Sequence, residues 1–190
     1  VLTLKYATPP DWAAFALRDF DTFLIDHASC ERKASAVGMS FVVRYPDRSA
    51  LVEPMIQFAR EELEHFHQVY RLIAQRGLQL AADEEDAYVG LLMKEVRTGR
   101  DERFLDRLLV SSLIEARGCE RIGLVAAELA DARLRQFYER LGRAEGHHRE
   151  LFLEIAQHYF PPETVAGRLD ELLDAEAAAI QAVPYRHALH

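Results

Sequence analysis

The chain has 190 residues, 49% of them hydrophobic, and a net charge of −8. That supports one domain with a substantial core. No apolar run reaches the ~18 residues that cross a membrane, and Val1 to Pro10 lacks the basic-then-apolar layout of a secretory signal. The acidic balance disfavours indiscriminate nucleic-acid binding, DNA included, but leaves room for a local basic patch.

Every segment reads helical. Thr8-Pro9-Pro10-Asp11 predicts a helix start, with a capping hydroxyl, proline in the first turn and an acid near the positive end of the dipole. That short helix ends near Leu17. The first long helix covers about 20–44 and stops at Tyr45-Pro46-Asp47, because proline disfavours helix in the residue before it. The second runs from Pro54 to about residue 76 and ends at Gly77. After a loop at 78–83, Asp83 caps a helix of about 84–97, which Thr98-Gly99 breaks. The third long helix covers about 102–130. Asp131 caps the fourth, about 132–159, and a last amphipathic helix of about 163–182 stops near Pro184.

Two helical hairpins are thus joined by a long crossover with a helix of its own. On this scaffold one pattern is written twice: Glu31 then Glu62-x-x-His65, and Glu115 then Glu145-x-x-His148. Each lies near the middle of its long helix. This order is the ligand set of a carboxylate-bridged di-metal site in a ferritin-like four-helix bundle. The expectation is a single all-α ferritin-like diiron domain over 1–190, with a helical crossover and extra flanking helices.

Composition alone predicts roughly one Glu-x-x-His pair, so the helical face must discriminate. Phe58, Glu62, His65, Val69 and Leu72 share a line that is apolar except at the ligands, whereas Glu64 and His67 lie on a polar line with Gln57 and Arg71. Leu141, Glu145, His148, Phe152 and Ile155 repeat the apolar pattern, and His147 falls on the polar side. Glu31 lines up with Leu24, Ala28, Ser35 and Val42, and Glu115 with Leu108, Ile122 and Ala126. Glutamate is almost never buried without a partner. Four carboxylates would repel one another, but two divalent ions neutralise them. The expectation is that His65 would serve one metal and His148 the other, with Glu62 and Glu145 as the bridging candidates. Carboxylate plus imidazole suits iron or manganese, and an iron site with open positions can bind O2.

Gly118, Cys119 and Gly123 follow Glu115, and Gly142 and Gly146 flank Glu145. Glycine costs ~1 kcal/mol relative to alanine inside a helix. Space for a substrate, with Gly118 and Cys119 lining it, is one reason to keep glycine there; close helix packing is another, above all at Gly142 and Gly146. Cys30 and Cys119 have no metal or redox spacing and read as reduced thiols in a cytoplasmic protein. Arginine outnumbers lysine heavily, and two clusters are candidates for phosphate contact: Arg97, Arg100, Arg103 and Arg107, and Arg133, Arg135, Arg140 and Arg143. Asp101, Glu102 and Asp106 among the first cluster suggest solvated ion pairs instead.

Four stretches are more specific than the bundle pattern. Leu24-Ile25-Asp26-His27-Ala28-Ser29-Cys30-Glu31-Arg32-Lys33-Ala34 resembles the first metal helix of the bacterial tRNA hydroxylases called MiaE. So do Ala59 to Phe66, Ser111 to Arg121, and Phe137 through His148 in the other three long helices. The resemblance covers nearly the whole chain. It implies a non-haem diiron monooxygenase whose substrate is the 2-methylthio-N6-isopentenyladenosine beside the tRNA anticodon. One oxygen atom of O2 enters the isopentenyl group as hydroxyl, and the other leaves as water. The six family ligands carry over to Glu31, Glu62, His65, Glu115, Glu145 and His148, making the diiron centre the catalytic group. Partners would be tRNA and an external electron donor.

The main alternative is a ferritin- or peroxidase-like protein that handles iron or peroxide without a tRNA substrate. Against it stand the absence of a Cys-x-x-Cys pair and the helix in the crossover. A helical interaction module with a vestigial site would bind no stoichiometric metal. Because metal binding is coupled to folding, removing the metal should lower the melting temperature; identical melting of metal-free and loaded protein would exclude the ligand set.

Overall fold

The computed structural model describes residues 2–190, and among them there is no strand. The helices are α1 (Asp11–Ala16), α2 (Phe20–Arg44), α3 (Ser49–Gln75), α4 (Ala87–Lys94), α5 (Arg100–Glu128), α6 (Ala132–Tyr159) and α7 (Pro162–Ala182), with a 3-10 turn at Leu17–Asp19. They form two compact units, one of Phe15–Glu84 with Arg186–Leu189, the other of residues 2–14, Glu85–Tyr185 and His190.

The first unit is the α2–α3 hairpin. Asp19 caps α2 by accepting from the Thr22 amide, and Tyr45 ends it as expected from the following proline. α3 starts at Ser49, five residues before Pro54, so the proline lies inside the helix and not at its first position. Gly77, at φ 71°, closes α3 with the Leu78 amide donating to the Ile73 carbonyl, and only glycine adopts that conformation without strain. The two helices approach closely at Gly38, where a Cβ would sit 2.8 Å from Phe58 Cδ1. Beside it the Ser35 hydroxyl donates to the Ala59 carbonyl at 2.7 Å. Phe23, Leu24, Ala28 and Phe41 of α2 and Leu51, Met55, Phe58 and Val69 of α3 are buried.

Asp83 does not cap α4. It accepts from Ser29 and from Arg32 of α2, both at 2.5 Å, and so ties down the loop after α3. Asp86 is the cap, accepting from the Val89 amide, and α4 is correspondingly shorter than the sequence suggests. Burial pushes the Asp86 carboxyl up, but hydrogen bonding to His190 and to backbone amides outweighs it and holds the group at about 2.

The second unit packs α5 against α6, with α4 and α7 alongside. Asp131 caps α6 as expected, accepting from the Arg133 and Leu134 amides. A Cβ at Gly142 would lie 3.2 Å from Ile122 Cγ2, so close helix packing explains that glycine, whereas Gly123 and Gly146 face open space. Thr8 is not a capping residue: its amide and hydroxyl both donate to the Glu120 carboxylate, at 3.0 and 2.6 Å.

Thr8 belongs to a buried polar cluster centred on Arg117. That guanidinium donates Nε–H to Glu176 Oε1 at 2.9 Å and Nη2–H to Glu176 Oε2 at 3.0 Å. Its other donors go to Thr8, Glu120 and the Tyr6 carbonyl. All five N–H groups are thereby used. Tyr88 donates to Glu176 at 2.9 Å, and Arg121 lies 4.4 Å over the Trp12 ring. Burial first, and the charge of Arg117 next, lower the Arg121 pKa to about 10. Arg117 and Glu176 are both fully buried, so removing one strands the other. Glu176→Ala should cost about 3–5 kcal/mol in urea unfolding; a loss under ~1 kcal/mol would mean that water reaches Arg117 and compensates it.

Candidate metal centre

In the first unit, α2 presents Glu31, and one turn of α3 presents Glu62 and His65. All three are buried, at 4%, 1% and 8% exposure. His65 Nδ1 lies 3.8 Å from Glu31 Oε2 and 3.7 Å from Glu62 Oε2. These separations exceed a hydrogen bond. They match donor atoms sharing one ion at ~2.1 Å, which stand about 3–4 Å apart. The polar-line pair behaves differently: Glu64 and His67 are exposed, as the helical face predicts.

The second unit holds the other repeat. Glu145 and His148 on α6 are buried, with His148 Nδ1 3.2 Å from Glu145 Oε2. Glu115 on α5 is half-buried. Cys119 is half-buried as well, and its thiol donates to the Gly142 carbonyl at 3.5 Å, a contact between α5 and α6. Burial pushes its pKa up, and the negative charges of Glu145 and Glu115 add to that against Arg149. It therefore stays a neutral thiol within electrostatic reach of both glutamates. Gly118 is buried, and a Cβ there would meet His190 Nε2 at 3.9 Å. His147 is exposed, with Nδ1 3.2 Å from the Arg143 carbonyl.

Each unit thus brings a carboxylate and an imidazole together on a buried face, with ligand atoms of Glu62 and His65, and of Glu145 and His148, within 4.8 Å of each other. Such a donor set fits iron or manganese.

The sequence reading missed His27. It is completely buried, and its Nε2 lies 2.6 Å from Glu31 Oε1. With the carboxylate ionised, His27 donates to that oxygen, and Oε2 is the one that faces His65. Its i,i+4 spacing from Glu31 was the available signal.

A model of the family described as tRNA-(MS[2]IO[6]A)-hydroxylase (MiaE) matches residues 2–190. The chain belongs to the MiaE family. Among MiaE relatives, a Pseudomonas putida protein named tRNA 2-(methylsulfanyl)-N(6)-isopentenyladenosine(37) hydroxylase is 36% identical over 174 residues, covering 92% of this chain and 84% of that protein. A Salmonella typhimurium protein of the same name is 32% identical over 130 residues, covering 68% of this chain and 47% of that one. A solved structure, titled Protein 43 with aldehyde deformylating oxygenase activity from Synechococcus, aligns with a TM-score of 0.95 at 36% identity, over 100% of this chain and 96% of that one. The fold is all-α and ferritin-like, and the chain is an enzyme of the hydroxylase class.

Outer partners that orient a metal ligand typically contribute 10–100-fold in metal affinity. His27→Ala should therefore weaken cobalt(II) binding, read by chelator competition, by about that factor, and His27→Gln should recover part of it. Undiminished affinity in His27→Ala would show that Glu31 needs no such support.

Proposed function

We propose that the chain is a non-haem diiron monooxygenase that hydroxylates the isopentenyl group of 2-methylthio-N6-isopentenyladenosine beside the anticodon of tRNA. The observation that carries this reading is the twofold placement of a Glu-x-x-His turn on a buried helix face. Membership of a family whose named relatives hydroxylate this nucleoside supports the substrate.

In this reading Glu31, Glu62 and His65 supply one hairpin's ligands and Glu115, Glu145 and His148 the other's. Two iron ions held by them would supply the reduction of O2 that an allylic C–H bond requires. The balance is one C–H and one O2, with two electrons and two protons, giving one C–OH and one water. The electrons come from an external donor.

The chain's own groups do the remaining work. His27 fixes one Glu31 oxygen. Leu24, Phe58 and Val69 near the first ligands, and Leu141 and Phe152 near the second, are buried and exclude water. Such surroundings also suit a prenyl chain. The base must leave its stack to reach a buried centre, and RNA loops already offer unstacked bases. No helix among the described residues is long and apolar enough to cross a membrane; the proposed location is the cytoplasm, with the tRNA.

The test is protein loaded anaerobically with ferrous iron, counted for metal, then given reductant, O2 and prenylated tRNA, with nucleoside mass as the readout. Two irons per chain and one added oxygen on that nucleoside are expected. Two irons with unaltered tRNA would move the function to iron or peroxide handling, and no stoichiometric iron would overturn the metal centre.

A further inference from the structure

A chain of net charge −8 that acts on a polyanion needs a basic surface somewhere. The sequence offers two arginine clusters, and the structure separates them. In the first, Arg97 is committed to Asp106, with Nε–Oδ2 at 2.9 Å and Nη2–Oδ1 at 2.8 Å. Arg168 meets the same carboxylate at 2.9 Å and also pairs with Glu171. Asp106 is fully buried, so this network holds the start of α5 to α7 and is not a phosphate cradle. Arg100 and Arg107 have interactions of their own.

The second cluster divides differently from the sequence grouping. Arg135 donates to the Leu129 and Ala130 carbonyls, both at 3.2 Å, and so finishes the end of α5. Arg133, Arg140 and Arg143 make no ion pair among the described residues. With Gln136 and His147 they recur at steps of three and four, which is one line along α6, and all five are exposed. Glu139 is the one exposed acid within 133–147; it flanks the line one turn from Gln136 and Arg143, against three arginines. Glu145, the other acid in that stretch, faces inward and is buried.

We propose that this line of α6 binds the backbone phosphates of the tRNA anticodon arm. The proposal rests on the tRNA reading above and adds where the substrate is held. Guanidinium groups suit phosphate because they donate two parallel hydrogen bonds and stay charged. From Arg133 to His147 the line runs about 20 Å, at 1.5 Å per residue. Gln136 adds neutral donors between the charges. The same helix carries Glu145 and His148 on its inner line, so a strand held outside lies about one helix width, ~10 Å, from those two side chains.

The test compares wild type, Arg133→Ala/Arg140→Ala/Arg143→Ala, and the control Arg100→Ala/Arg103→Ala. Binding of prenylated tRNA is measured by fluorescence anisotropy across a salt series, with melting temperature and iron per chain as checks on the fold. The α6 variant should bind at least about tenfold more weakly, with a salt slope shallower by about 2, since each lost phosphate contact removes ~0.7 on single strands. KM for tRNA should rise while kcat at saturation holds, and the control should match wild type. Wild-type affinity and slope in the α6 variant, or an equal loss in the control, would overturn the surface but leave the hydroxylase reading standing. A wild-type protein that neither binds nor hydroxylates tRNA would overturn both.

Discussion

Glu31, Glu62 and Glu145 sit on apolar helix faces with almost no contact with water. The residual cost of an uncompensated buried carboxylate is several kcal/mol even after relaxation. The sequence therefore has to supply positive charge or protons at these positions, and everything around them follows from that need. Histidine recurs three residues after each paired glutamate, one of the two spacings that bring imidazole to carboxylate on a helix. His27 then approaches Glu31 from one turn earlier at 2.6 Å. In the proposed function metal ions complete the compensation, and the same ions bring the oxygen chemistry.

A second buried charge network solves the problem without metal. Arg117 spends all five of its donors on Glu176, Glu120, Thr8 and the Tyr6 carbonyl. Its work is mechanical: it fastens α5 to α7 and to the segment before α1. The contrast between the networks is chemical. A guanidinium pairs with carboxylates in fixed geometry and remains charged, which suits a rivet. Imidazole and carboxylate can exchange hydrogen bonds for metal coordination, which suits a reactive centre.

The outside of α6 belongs to the same economy of charge. Most arginines elsewhere in the second unit are tied to acids or carbonyls, as Arg97, Arg117, Arg135 and Arg168 are. Arg133, Arg140 and Arg143 stand apart from that pattern on an exposed line. One helix then presents metal-type ligands inward and phosphate-type donors outward. In the proposed function that arrangement would tie substrate capture and chemistry to a single rigid element.

The sequence by itself determined the helices and the two ligand repeats. Their signals are local: 3.6-residue periodicity, proline and glycine stops, and Glu-x-x-His on an apolar line. Phe20–Arg44 and Ala132–Tyr159 came out at their expected bounds for that reason. Tertiary structure decided which polar side chain serves which partner. Asp83 and Asp86 are equally good caps in sequence, but Ser29 and Arg32 of α2 claim Asp83 and leave Asp86 to start α4. Thr8 reads as a cap until Glu120 takes both its amide and its hydroxyl. Likewise Arg97 and Arg135 look like Arg140 in a string of letters, and only Asp106 and the end of α5 engage their donors. A polar group has several partners of similar energy within its own segment, so the choice falls to neighbours distant in sequence. An apolar helix face has only one way to leave water, and its period records that in the sequence.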